Sequence, residues 1–256
     1  MVATAGLAVW FDGALHGSGG TGGGAGAVVL NTATGRVVWQ GARFLEQPGT
    51  SMQAEYEGLL LGLDAAARLT AALPAGAVTS VAAHGDCKML VRQMSGEVVA
   101  RKTAPLHGAA SRAAAALAAS TGSPVRFHFA PRANNHWADS LARGAIDAFT
   151  AAHAARGLAF LRSGRRRDAL SALRLARSRG APCGDAALSE LLLYCEAAAD
   201  WPTYLDTFRE AQACGSPIVQ VCVPSLLFLP FMFKSSPASL SPRTPHSGTI
   251  RHVCMS

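Results

Sequence analysis

Three features of this 256-residue chain predict an α/β fold built on a mixed sheet. Three apolar, strand-like runs come first, at 6–11, 25–31 and 36–44, with connections too short to hold a crossover helix. Two further runs, at 78–83 and 125–129, alternate with helical stretches, the pattern that adds parallel strands. Half of the residues are apolar, enough to bury a core between sheet and helices.

Each element has a local reason. The glycine-rich stretch Gly17–Gly24 separates the first two runs, and Thr34-Gly35 turns the chain into the third, so an antiparallel meander is expected. Thr50 or Ser51 can cap a helix over 52–73, in which Leu59, Leu60, Leu63 and Ala66 keep helical spacing until Pro74 and Gly76 stop it. A short helix follows Asp86, with Met89, Leu90 and Gln93 at helical intervals, and 103–120 is an alanine-rich helix. Pro131–Asn134 reads as the loop before a last helix over 135–152. The predicted order is β-β-β-α-β-α-α-β-α, five strands with helices on both faces, over residues 1–153.

Beyond residue 153 the texture changes. Leu158, Leu161, Leu170, Leu173 and Ala176 mark paired helices, and a shift of 35 positions aligns Leu170 with Leu205, Leu173 with Phe208, Ala176 with Ala211 and Gly180 with Gly215. That period is the signature of a helical-hairpin repeat. The start Gly164–Leu170 and the Gly-x-Pro end resemble the pentatricopeptide repeat over 154–217. Residues 218–256 begin apolar, are interrupted by Pro224 and Pro230, and become Ser/Pro-rich, so they are expected to be a disordered tail and too short to span a bilayer.

The net charge of +7 is uneven: residues 1–153 carry +2 and the rest +5. Eight arginines lie between Arg156 and Arg179 with Asp168 the lone acid, a solvated helix face or a surface that follows phosphates. A basic chain suits a polyanionic partner such as nucleic acid. The six cysteines form no CxxC pair or zinc spacing and read as reduced thiols, which with the absence of a signal peptide points to an intracellular, monomeric protein, its compartment open.

Four acids fall where strands and helices can bring them together: Asp12 in Phe-Asp-Gly-Ala, Glu55 in Gln-Ala-Glu-Tyr-Glu-Gly-Leu, Asp86 in Gly-Asp-Cys-Lys-Met-Leu, and Asp139 in Asn135-His-Trp-Ala-Asp-Ser-Leu-Ala. Carboxylates gathered in one place repel one another unless divalent cations neutralise them. Taken singly, each has a plain alternative as a turn acid or a helix-start charge. Together, in this order, the four segments resemble the type 1 ribonuclease H family, its plant and archaeal-like branch, over residues 6–150.

The resemblance implies a five-stranded ribonuclease H-like sheet and an endonuclease that cuts the RNA strand of RNA–DNA hybrids. It implies two Mg2+ ions, with Mn2+ as a substitute, held by Asp12, Glu55, Asp86 and Asp139. It also implies substrate contacts from Gly13, Gly17, Ser18, Ser51 and Asn135, and a histidine near the site, for which His128 is the nearest match. The chain departs from the family at Ser51-Met52, where paired Asn is common, and in the loop after the first acid. Those departures leave two other readings, a catalytically weak nucleic-acid-binding protein of the same fold or a transposon-derived fragment.

Overall fold

The computed structural model of the protein describes residues 5–16, 22–179 and 185–214. Gly17, Ser18 and the tail 218–256 lie outside them. Strands β1 (Ala5–Leu15), β2 (Gly22–Asn31) and β3 (Val37–Glu46) form the antiparallel meander. Strands β4 (Val78–Gly85) and β5 (Arg126–Phe129) add parallel to β1, so the sheet order is β3-β2-β1-β4-β5. This is the ribonuclease H-like mixed sheet, in the element order expected.

One face of the sheet packs on α1 (Ser51–Ala72) and α3 (Ala104–Thr121), with α2 (Lys88–Met94) following Asp86. Alternation along β1 turns Leu7, Val9 and Phe11 to this side, where they meet Tyr56, Leu59, Leu63 and Leu117, all buried. Each such side chain contributes about 1.5–3 kcal/mol, and truncating Leu59 to Ala should cost roughly 2–5 kcal/mol. Thr50 caps α1, its hydroxyl accepting from the Gln53 backbone N–H at 3.2 Å. Tyr56 donates to Gln93 Oε1 at 2.8 Å and so ties α1 to α2.

The other face is crossed by α4 (His136–Arg162). It comes close because β2 is glycine there: a Cβ on Gly24 would lie 1.9 Å from the Ala142 carbonyl oxygen, and one on Gly26 would lie 2.4 Å from that of Ala138. β1 and β2 are also longer than the sequence suggested, because the glycines pair as strand; Asp12 lies inside β1, opposite Gly26.

The boundary expected after residue 153 falls inside α4. No stop signal occurs before Ser163-Gly164, and the cost of an internal glycine at 157, about 1 kcal/mol, is offset by burial of that turn and of Leu161. Residues 1–216 form one compact unit.

Helices α5 (Arg166–Ser178), α6 (Asp185–Ala197) and α7 (Trp201–Ala213) complete the described chain. A 35-residue shift carries α5 onto α7 and the end of α4 onto the end of α6. The turns coincide as well. Gly164 and Ala199 are both left-handed, at φ 74° and 51°. Arg165 N–H donates to the Phe160 carbonyl and Asp200 N–H to that of Cys195, each at 2.9 Å. Such a left-handed closure satisfies the last carbonyls of a helix. The hairpins thus repeat in three dimensions with the period seen in the sequence.

The described cysteines depart from the expectation of reduced thiols throughout. Cys87 and Cys195 are free, whereas Cys214 is disulfide-bonded. No helix among the described residues is long and apolar enough to cross a membrane.

Candidate functional site

Trp10 pairs with His84 across the parallel β1–β4 ladder. Two residues on, side-chain alternation returns Asp12 to the α4 side of the sheet, and Asp86 leaves β4 beside it. The third acid arrives on α1, which touches β1 through glycines on both elements. A Cβ on Gly13 would sit 2.1 Å from the Ala54 carbonyl carbon, and one on Gly58 would sit 2.3 Å from the Asp12 carbonyl oxygen. Glu55 is thereby held against the strand, with the Gly13 N–H as a hydrogen-bond donor to its carboxylate.

Carboxylate oxygens of Asp12, Glu55 and Asp86 all lie within 4.8 Å of one another. Asp12 is buried at 4 % exposure. Burial first, then the Asp86 charge, pushes its carboxyl up to about 7. Burial first, then the charges of Asp12 and Asp86, pushes Glu55 up to about 9. Glu55 Oε2 is buried and has no hydrogen-bond partner among the described residues. Oxygen donors, close spacing and an orphaned buried oxygen fit a hard divalent cation.

Asp139 stands apart from these three. It lies in the first turn of α4, where Arg132 Nη2 approaches at 2.5 Å and Arg143 Nε at 3.1 Å. It remains near enough for its charge to raise Asp12. Arg132, in the short 3-10 turn before α4, faces the whole acid set and lowers Asp12 and Glu55. Sequence reasoning missed it, because a loop arginine seven positions before an acid has no periodic signal. Together with Gly13, His16, Asp139, Arg143 and Asp147 it lines a polar groove of about 480 Å³.

The remaining expected residues divide. Ser51 is exposed at the start of α1, and Gly13 borders the groove. Asn135 is 1 % exposed, and its amide nitrogen is engaged inside the fold rather than offered to a ligand. It donates to the Phe11 carbonyl at 2.9 Å and to Asp86 Oδ1 at 3.2 Å, tying the start of α4 to both acid-bearing strands. His128 lies within β5, not in the loop before α4, and its ring stacks on His84 with centroids 5.1 Å apart. It belongs to no acid cluster among the described residues.

Most of the arginine-rich stretch is paired internally. Arg165 meets Asp168, Arg166 meets Asp200, Arg174 and Arg177 meet Glu210, and Arg179 reaches Glu46. The sequence shows charge count but not partners, so it overstated the cations free to follow a phosphate backbone.

A five-stranded sheet in this order, with carboxylates gathered where β1 and β4 lie side by side, defines a ribonuclease H-like domain. A family model described as reverse transcriptase-like matches residues 10–145, over half of the chain, and the chain belongs to that family. It is similar to the N-terminal RNase H domain of a Mycobacterium tuberculosis protein, solved as a fusion with maltose-binding protein. The identity is 31 %, over 57 % of this chain and 96 % of that one, with a TM-score of 0.47. RNase H1 from the halophilic archaeon Halobacterium salinarum is 28 % identical over 55 % and 97 %, TM-score 0.44. LC11-RNase H1, solved with an RNA/DNA hybrid, is 25 % identical over 55 % and 96 %, TM-score 0.45. No curated protein matches the chain.

Proposed function

We propose that the protein is a divalent-metal-dependent endonuclease that hydrolyses the RNA strand of RNA–DNA hybrids. The observation that carries this reading is the Asp12–Glu55–Asp86 cluster, three carboxylates with oxygens within 4.8 Å of one another, two of them, Asp12 and Glu55, raised by burial and mutual charge to about 7 and about 9. A cluster so unfavourable without a cation marks a site arranged for one. Membership of the reverse transcriptase-like family supports the same chemistry.

In this reading Asp12, Glu55 and Asp86 would hold magnesium or manganese, and Asp139, now paired with Arg132 and Arg143, would be the fourth carboxylate available to the ions. Two such ions would lower the pKa of an attacking water and offset charge on the leaving oxygen. The protein's own part is to place and to neutralise. Asn135 fixes the Asp86 carboxylate. Arg132 and Arg143, at the rim of the groove, supply cations to phosphate oxygens, and Gly13 leaves the groove wall low. The products would carry 5′-phosphate and 3′-hydroxyl ends.

The test is cleavage of a labelled RNA–DNA hybrid by the purified chain with and without Mg2+, with single- and double-stranded RNA and DNA as controls. Metal-dependent loss of the RNA strand alone is the expected result. A folded protein that binds the hybrid but never cuts it would favour the second reading, a nucleic-acid-binding protein with weak catalysis. The observation on that side is Asp139, clamped between two arginines outside the three-acid cluster.

A further inference from the structure

Three rings stand in a row on the sheet face that α4 crosses. Trp10, His84 and His128 occupy matched positions on β1, β4 and β5. Trp10 stacks on His84 with centroids 4.7 Å apart and planes 16° apart, and His84 stacks on His128 at 5.1 Å and 23°. Across from Trp10 on β2 stands Val28, too small to supply a fourth ring. There the structure has a largely apolar pocket of about 150 Å³, lined by Trp10, Val28, Leu30, Asn134, His136 and Trp137. Trp137 is 45 % exposed, in the first turn of α4.

We propose that this pocket receives one nucleobase, which stacks on Trp10 as the fourth ring of the row, against Trp137. Cross-strand stacking alone stabilises neighbouring strands, which accounts for the two histidines. It accounts neither for a ring-sized pocket at the end of the row nor for a half-exposed tryptophan beside it. Planar heteroaromatic rings are what such aromatic walls bind without regard to charge. Asn135 and Ala138 close the rest of the pocket wall. With stacking as the main contact, purines, which offer the larger ring face, should be favoured over uracil. No carboxylate lines the pocket, and Arg132 lies in the turn leading to it.

The proposal rests on the nucleic-acid reading above, and the base could come from an unpaired nucleotide at the end of a strand or from a free nucleotide. The experiment separates these. Binding of the full chain, with Ca2+ in place of Mg2+ to allow binding with little turnover, would be measured to a blunt hybrid, to hybrids with a single adenine or uracil overhang, and to adenosine monophosphate. The same set would be run on Trp137→Ala. The adenine overhang should tighten binding by about 5-fold or more over the blunt hybrid, with a smaller gain for uracil, and Trp137→Ala should erase the gain while leaving blunt-hybrid affinity unchanged. Equal affinity for blunt and overhang hybrids, or a gain that survives Trp137→Ala, overturns the pocket when hybrids are bound. If no hybrid binds, the function proposed above falls; adenosine monophosphate binding that Trp137→Ala abolishes would still establish the pocket, and its absence would end it.

Discussion

Buried carboxylates occur at two places in this molecule, and they are treated in opposite ways. Glu210 on α7 is buried and meets Arg174 Nε at 3.1 Å and Arg177 Nε at 2.5 Å, the second a close ion pair without hydrogen-bond alignment. Two cations from α5 thus neutralise one acid from α7 and clamp the hairpins. At the sheet, Asp12, Glu55 and Asp86 face one another, and the arginines nearest them are engaged with Asp139 instead. Burying a charge is costly unless it is paired. The first arrangement removes that cost within the chain, whereas the second leaves it uncompensated there. On the function proposed above, the contrast is that between a structural acid and one that would meet a cation.

The comparison can be broken most directly by exchanging an acid for its amide. Asp12→Asn should lower metal-dependent hybrid cleavage by at least about a thousandfold, since it removes a charged ligand without changing size. In metal-free buffer the same variant should be more stable than the parent, by about 1–3 kcal/mol near pH 8, because it removes repulsion. Urea unfolding with a chelator present checks the second outcome, and a less stable variant would sink this account of the cluster. Glu210→Gln should do the reverse, costing about 1–3 kcal/mol with cleavage unchanged at saturating substrate, because Arg174 and Arg177 lose their partner. The half-exposure of both arginines keeps that figure below the loss expected of a fully buried pair.

A pH titration sharpens the contrast further. Asp12 and Glu55 are raised to about 7 and about 9 in the folded chain from ordinary values of 3.8 and 4.5, so the folded state holds protons that the unfolded state has released. Their contribution is fully present below about pH 4 and is lost as pH rises through 7 and then 9. The metal-free melting temperature should therefore fall across that window, and millimolar Mg2+ should recover more of it at pH 8.5 than at pH 6. A melting temperature flat from pH 5 to 9 in chelator would contradict the raised carboxyls.

The smallest effect is expected from the arginine-rich helices. Among the described residues no carboxylate pairs with Arg156, Arg162 or Arg167; Arg156 lies over the Phe160 ring, which leaves Arg162 and Arg167 as the cations of that stretch most available to phosphate. Replacing both with Gln should flatten the slope of log affinity against log salt by at most about two units. A change of four or more would mean that the internally paired arginines also reach the nucleic acid.

The sheet was legible from the sequence because strand spacing and turn chemistry are local. The short links around Gly17–Gly24 and Thr34-Gly35 leave little choice but a meander. The acids were legible for a similar reason, since Asp12 and Asp86 follow apolar strand runs and Glu55 and Asp139 stand in the first turns of patterned helices. What could not be read depends on partners distant in the chain. Arg143 stands four residues after Asp139 on the same helix and could be read as its partner, but nothing announces that Arg132 will reach across from the preceding turn, or that Arg174 will meet Glu210, 36 positions away. His128 lies in the fifth strand, as its sequence context suggested, and the β4 register stacks it on His84. The end of α4 was misjudged at residue 152 because an alanine-rich run carries no stop signal, and its last turns are held by contacts with α5 and α6.

That uninterrupted helix has a mechanical meaning. At 1.5 Å per residue, the 27 residues of α4 make a rod about 40 Å long. Asp139 rides in its first turn, and the first of the repeated hairpins begins from its last. The rod is bedded on Gly24 and Gly26, where backbone meets backbone and no compressible side chain intervenes. One continuous helix thus joins Asp139 to the hairpins, and the end of α5 beyond it is anchored to the sheet a second time, through Arg179–Glu46 and the Gln47 amide on the Ser178 carbonyl.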